Sequence, residues 1–224
     1  MAKPLETIEI ETAPNPSSAI IWLHGLGADG NDFVPIAEEL DLDAVGPVRF
    51  VFPHAPVIPV SINNGYRMRA WYDIVGFGAD APQDEAGLRR SQSLVEALIA
   101  RERQRGIPSQ RIVLAGFSQG CAMALLTGLR HSEPLAGIVG LSGYLPLADT
   151  TAQERHPANL DTPIFLAHGT DDGIVAFDRA EESRATLVAL GCDVEWHTYP
   201  MGHSVSPQEI ADLNAWLLRA LAPG

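Results

Sequence analysis

The sequence predicts an α/β fold in which a mainly parallel central sheet carries helices on both faces. Three observations carry this. Short β-rich runs alternate with longer helical patterns along the chain. Five of the runs are nearly continuous in apolar residues: Ile20-Ile21-Trp22-Leu23, Phe50-Val51-Phe52, Ile112-Val113-Leu114-Ala115, Ile138-Val139-Gly140-Leu141 and Ile164-Phe165-Leu166-Ala167. Such strands are buried on both faces, as in a parallel sheet between helix layers. The length of 224 residues predicts a single domain over 1–224.

The predicted strands are 7–11, 19–24, 49–53, 112–117, 137–142, 164–168 and 194–199. Phe33, Ile36, Ala37 and Leu40 are spaced as one helix face, with Asn31 or Asp32 as the cap. Leu88, Val95, Leu98 and Ile99 line a second helix that stops near Gly106 and Pro108. A third runs over 119–129. A fourth, over 177–190, ends at Gly191, a residue suited to the left-handed cap. The last begins at a capping box, Ser206-Pro207-Gln208-Glu209, and carries the stripe Ile210, Leu213, Leu217 and Leu221. Residues 55–85 show neither period. They are rich in Pro, Gly and Asn, with Tyr66, Met68, Trp71, Tyr72 and Phe77 scattered among them. Long unpatterned segments are often functional, so this one reads as a flap or pocket wall, or as an excursion packed on the sheet edge.

Composition narrows the function. Apolar residues make up 46 % of the chain and charged residues 19 %, enough to build a core and exclude disorder as the main state. Lys and Arg number 15 and Asp and Glu 28, a net charge of −13 that repels phosphate backbones and excludes nucleic acid as a partner. No apolar stretch is long enough to span a bilayer, and the first residues have no apolar signal-peptide core, so a cytoplasmic protein without integral membrane association is expected. The two cysteines, Cys121 and Cys192, form neither a disulfide framework nor a zinc pattern. Asp29 and Asp32 near His24 are better explained as caps than as metal ligands. No metal or cofactor is expected.

The chemistry centres on Gly116-Phe117-Ser118-Gln119-Gly120, the one G-x-S-x-G in the chain. It joins a predicted buried strand to a predicted helix, the strand–turn–helix context of a nucleophile elbow in the α/β-hydrolase fold. A serine hydroxyl needs a base to take its proton, and the base needs an orienting acid. In this fold both follow the serine, acid first. Among the later histidines, His203 stands out: it follows the last strand and precedes the capped terminal helix, at the sheet edge where ligands bind. The loop after strand 164–168 holds the adjacent Asp171 and Asp172, and spacing does not choose between them. An oxyanion hole needs backbone N–H donors. Gln119, after the nucleophile, is one. Leu26, in His24-Gly25-Leu26-Gly27 after the strand 19–24, is the other. Cys121, one helical turn after Ser118, reads as core.

These segments together resemble the carboxylesterase/phospholipase family of α/β-hydrolases, which includes the acyl-protein thioesterases. The resemblance rests on Leu23-His24-Gly25-Leu26-Gly27-Ala28-Asp29-Gly30, Phe52-Pro53-His54-Ala55-Pro56, Arg69-Ala70-Trp71-Tyr72-Asp73, Ala115 through Gly120, and Gly202-His203. The family's acid motif, H-G-x-x-D-x-x-V, falls on His168 and so implies Asp172 as the acid. The resemblance also implies Leu26 and Gln119 as oxyanion donors, no cofactor, a cytoplasmic location and frequent homodimers. It implies that 55–85 helps bind the acyl group, with Trp71 near the pocket. Ile174, beside the acid, is expected to touch substrate too. Members usually have glycine at the position of Cys121.

The expected function is a serine carboxylesterase acting through Ser118, His203 and Asp172 on small soluble esters with short to medium acyl chains. The charge of −13, unfavourable to anionic bilayers, motivates that chain length. Lysophospholipids and acyl-protein thioesters are the alternative substrates for the same site. A binding protein with a vestigial triad is the alternative outside catalysis.

Overall fold

The computed structural model describes residues 4–76 and 81–222; Phe77 lies outside the described residues. In chain order the elements are β1 (Thr7–Glu11), β2 (Ser18–Leu23), α1 (Ile36–Glu39), β3 (Val48–Pro53), β4 (Val57–Val60), β5 (Tyr66–Arg69), α2 (Glu85–Gln104), β6 (Ile112–Phe117), α3 (Gln119–Arg130), β7 (Gly137–Leu141), α4 (Ala148–Glu154), β8 (Ile164–Gly169), α5 (Phe177–Ala189), β9 (Val194–Tyr199) and α6 (Pro207–Ala220). The described residues form a seven-stranded sheet in the order β1-β3-β2-β6-β7-β8-β9 and a separate hairpin, β4–β5. β1 runs antiparallel to β3, and every other pairing in the main sheet is parallel. The chain is therefore an α/β protein with a mainly parallel sheet.

Strand alternation divides the core. Ile20, Trp22, Val113 and Ala115 pack with Ile36 of α1 and with Leu213, Trp216 and Leu217 of α6. Ile21, Leu23, Ile112 and Leu114 pack with Leu88, Val95 and Ile99 of α2, with α3 and with Leu187 of α5. Each central strand thus buries both faces, which is why those strands are apolar throughout. Two helix starts are fixed by side chains. Asp84 accepts from the Gly87 N–H at 2.8 Å, and Ser206 and Glu209 form the reciprocal capping box of α6. Among the described residues no helix is long and apolar enough to cross a membrane.

Two regions differ from the sequence reading. The helix expected over 33–40 is only the single turn Ile36–Glu39, and neither Asn31 nor Asp32 caps it. Asp29 is the capping side chain of the preceding turns, accepting from both the N–H and the amide of Asn31 at 2.8 and 2.9 Å. Pro35 disfavours helical backbone at Val34, so successive tight turns carry the chain to Ile36. The apolar spacing still marks a buried face, with Ile36, Ala37 and Leu40 in the core. The segment 55–85, expected to be irregular, contains the hairpin β4–β5, registered Val57 opposite Arg69 and Val60 opposite Tyr66. Its turn uses Asn64 at φ 54° and Gly65 at φ 74°. Those left-handed positions are what an Asn-Gly pair supplies.

Candidate active site

Parallel pairing brings the C-terminal ends of β2, β6, β8 and β9 to one edge of the sheet. Between β6 and α3 sits Ser118 at φ 56°, ψ −116°. A non-glycine residue with positive φ is held there only by its surroundings. Its N–H donates to the Leu141 carbonyl at 2.9 Å, latching the turn to β7. The flanking glycines are steric requirements. A Cβ on Gly120 would fall into the Leu23 carbonyl, and one on Gly116 into the backbone of Gly120. They let α3 start directly against β2 and β6.

The loop after β8 carries Asp172. Its Oδ1 accepts from the N–H groups of Ile174 and Val175 at 2.8 and 2.9 Å, which fixes the carboxyl plane. Its Oδ2 accepts from His203 Nδ1 at 2.7 Å. With the proton on Nδ1, Nε2 of His203 is left with a free lone pair. The His203 ring packs on Phe117, centroid to centroid 4.7 Å, on the residue before Ser118. Asp171 does not share this site: it is exposed, and its N–H donates to the Met201 carbonyl at 3.0 Å, tying the acid loop to the histidine loop. A second histidine also faces Asp172. His168 Nε2 donates to the Val175 carbonyl at 2.9 Å and lies 3.3 Å from Asp172 Oδ2. Burial lowers the His168 pKa, in keeping with a neutral ring. The remaining later histidines lie elsewhere, His131 on Glu96, His156 capping Ala158 and His197 on Glu195.

The loop after β2 is held open by its own side chains. His24 is buried, and its Nε2 accepts the Ala55 N–H at 3.0 Å. Its proton therefore sits on Nδ1 and donates to the Gly25 carbonyl at 2.7 Å. Burial pushes the His24 pKa down to about 4, so the ring is neutral near pH 7. The Gly27 N–H is taken by the Arg69 carbonyl at 2.8 Å. Among the described residues, neither the Leu26 N–H nor the Gln119 N–H has a protein acceptor. Gln119 is the first residue of α3, whose opening N–H groups have no partner one turn back.

A cleft of about 120 Å³ opens over Ser118 and Gln119, with Leu26, Tyr72, Tyr144 and Ile174 among its walls. Ile174 is 59 % exposed at its mouth. Trp71, expected near the acyl group, does not line this cleft. It is buried, its indole N–H donates to the His24 carbonyl at 2.9 Å, and its backbone N–H donates to Gln119 Oε1 at 3.0 Å. The sequence reading left Tyr144 and Arg179 out of the cleft wall. They come from loops and helices far apart in the chain, with no local pattern to mark them. Cys121 is buried, and its thiol pKa is pushed up to about 12 by burial, so it is not a second nucleophile. Among the described residues no cluster of three His, Cys, Asp or Glu side chains is arranged to hold a metal ion.

The sequence pattern of the phospholipase/carboxylesterase family matches residues 5–220. Acyl-protein thioesterase 1 of Yarrowia lipolytica is 41 % identical over 219 residues, covering 96 % of each chain. Among solved structures, SOBER1 of Arabidopsis thaliana superposes with a TM-score of 0.87 at 32 % identity, covering 91 % of this chain and 99 % of that one. Acyl-protein thioesterase 2 of Zea mays gives a TM-score of 0.86 at 29 % identity, covering 97 % and 99 %.

Proposed function

The chain belongs to the phospholipase/carboxylesterase family of α/β-hydrolases, and from that premise we propose that it hydrolyses acyl thioesters and esters by a Ser118–His203–Asp172 mechanism. It is an ester hydrolase of the serine type. The observation that carries the mechanism is the 2.7 Å contact from His203 Nδ1 to Asp172 Oδ2, which leaves Nε2 as the base. Ser118 Oγ attacks the acyl carbonyl as Nε2 takes its proton. The oxyanion accepts from the N–H groups of Leu26 and Gln119. The tetrahedral intermediate collapses, Nε2 returns the proton to the leaving thiol or alcohol, and the acyl group remains on Ser118. Water, deprotonated by the same nitrogen, then releases the acid and restores the serine.

The substrate preference expected from charge alone, short- to medium-chain soluble esters, gives way to acyl thioesters on protein or peptide cysteines. Relatives named acyl-protein thioesterase match this chain over nearly its full length, which supports that order. Small esters remain the second reading, favoured by the net charge of −13. Within residues 55–85, Tyr72, Ile74 and Val75 serve as the acyl-contact wall, together with Ile174.

A palmitoylated-cysteine peptide and a 4-nitrophenyl ester series from acetate to palmitate, compared by kcat/KM with Ser118→Ala as blank, test this. The thioester reading expects the long-chain thioester to win. A peak at the short esters, with no turnover of the peptide, returns the preference to small carboxylic esters.

A further inference from the structure

We infer that Arg179, stacked on Tyr144 beside a spare tyrosine hydroxyl, selects substrates that carry a carboxylate a few bonds from the scissile carbonyl; this rests on the proposed mechanism at Ser118. Arg179 and Ser118 line the same cleft. The guanidinium carbon lies 3.4 Å from the Tyr144 ring centroid, a stacking that restrains the long side chain. Among the described residues no carboxylate lies within ion-pair distance of Arg179 and no acceptor takes its guanidinium N–H groups; its main-chain N–H donates to the Ala176 carbonyl at 3.0 Å. Arg49, Arg89, Arg130 and Arg219, by contrast, each hold a glutamate. Its five donors are thus free for a ligand.

The position is also a poor one for helix stability. Arg179 is the third residue of α5, where a cation opposes the helix dipole. The acids of the same cleft are already engaged. Asp73 accepts from the N–H and hydroxyl of Ser61 at 2.7 and 2.5 Å, and Asp84 from the N–H groups of Gly87 and Asp73 at 2.8 and 3.0 Å.

Donor accounting adds a second group. The Tyr72 and Tyr144 hydroxyls are 2.8 Å apart. Two phenols hold two protons, and one bond between them uses one. Among the described residues no other acceptor takes the second. Burial keeps the Tyr72 phenol well above its ordinary range, so it retains its proton near neutral pH. A planar guanidinium and one phenolic O–H, in a cleft whose two acids already accept from neutral donors, match a carboxylate, which accepts on two oxygens.

The carboxylate can belong to the acyl chain or to the leaving group, and paired substrates distinguish the two. For the acyl chain, the mono-4-nitrophenyl ester of hexanedioic acid is compared with 4-nitrophenyl hexanoate. For the leaving group, the hexanoyl ester of 3-hydroxybenzoate is compared with that of its methyl ester. The readout is the anionic-to-neutral ratio of kcat/KM. It is expected to exceed about tenfold in at least one pair, and that pair identifies the source. Arg179→Gln is expected to bring the ratio to about one or below, and Arg179→Lys to recover part of it. A wild-type ratio of one or less in both pairs overturns the inference, as does a ratio that Arg179→Gln leaves unchanged. If Arg179→Gln does not fold, inhibition of the wild-type enzyme decides: the monoamide of hexanedioate must compete with 4-nitrophenyl hexanoate better than the neutral hexanamide does, and equal competition overturns the inference. Neutral esters hydrolysed in a Ser118-dependent way with a flat ratio remove this inference alone. Hydrolysis of neutral esters that Ser118→Ala does not slow removes the proposed mechanism instead.

Discussion

The indole N–H of Trp71 donates to the main-chain carbonyl of His24 at 2.9 Å, joining the segment after β5 to the loop that bears Leu26. The same residue is gripped from the other side: Gln119 Oε1 takes its main-chain N–H, the Gln119 amide donates to the Tyr72 carbonyl at 2.9 Å, and the Ser91 hydroxyl donates to the Trp71 carbonyl. The two proposed oxyanion donors, Leu26 and Gln119, are thereby tied to one buried tryptophan.

Trp71→Phe keeps most of the apolar volume and removes the indole N–H. A buried carbonyl that loses its donor costs about 1–3 kcal/mol. We expect a lower Tm and a fall in kcat larger than any rise in KM, since a loosened Leu26 N–H affects the oxyanion more than the bound substrate. Steady-state kinetics and thermal unfolding on one preparation check this. A loss of stability with kcat intact would confine Trp71 to the core.

Ser118→Ala removes the nucleophile and leaves the elbow. The expected loss in kcat is about 10³-fold or more. The positive-φ strain stays, because alanine keeps the Cβ that makes φ 56° costly, so Tm should remain close to that of the wild type. Labelling with a fluorophosphonate checks the same point independently: the wild type is modified with one equivalent, and the variant is not.

Asp172→Asn keeps an oxygen for the Ile174 and Val175 N–H groups and replaces the acceptor facing His203 with an amide donor. The imidazole then loses the partner that holds its proton on Nδ1. A drop in kcat of about 10³- to 10⁴-fold is expected with the fold retained. Asp171→Asn is the control. Its carboxyl is exposed and does not reach His203, so kcat should stay within about twofold of the wild type, as for surface changes elsewhere. Equal losses in the two variants would contradict this division of labour.

Much of this site could be read from the chain because its parts are local. The elbow is five consecutive residues, the capping box of α6 is four, and the continuous apolar runs mark the strands whose ends carry the loops. His203 followed from its place after the last strand. Asp172 needed the family pattern, since only the fold distinguishes two adjacent aspartates. The hairpin β4–β5 escaped because Val57 and Tyr66 are exposed and give no apolar alternation, although Asn64-Gly65 signalled its turn. Tyr144 and Arg179, which join Tyr72 in the cleft wall, escaped for a different reason. They meet only when the segment after β5, the loop after β7 and the start of α5 converge, and no short-range pattern encodes that meeting. Trp71 was marked by its motif, but the motif did not separate touching substrate from supporting the groups that do.

Glu209 yields a prediction about pH. Its side chain is fully buried in the first turn of α6, where Oε2 accepts the Ser206 N–H at 3.3 Å and Oε1 has no partner. Burial raises its pKa from an ordinary 4.5 to about 7. The folded state therefore holds this proton over a range in which the unfolded chain has released it. Stability attributable to the group is fully present below about pH 4.5, falls as pH rises toward 7 and is gone above that, a loss of up to about 3 kcal/mol. His24, lowered to about 4, acts in the opposite sense: its neutral folded form makes stability rise with pH between about 4 and 6.5. The two slopes oppose each other in the wild type between about pH 4.5 and 6.5, so the wild-type curve alone does not report on Glu209. Comparison with Glu209→Gln isolates it, because His24 is common to both chains. Glutamine keeps an acceptor for Ser206 and the helix cap, at a packing cost that does not vary with pH. Chemical denaturation from pH 5 to pH 8 should show the variant gaining on the wild type as pH rises, with most of the gain complete by pH 8. Parallel curves would mean that Glu209 is already ionised at pH 5 in the folded protein.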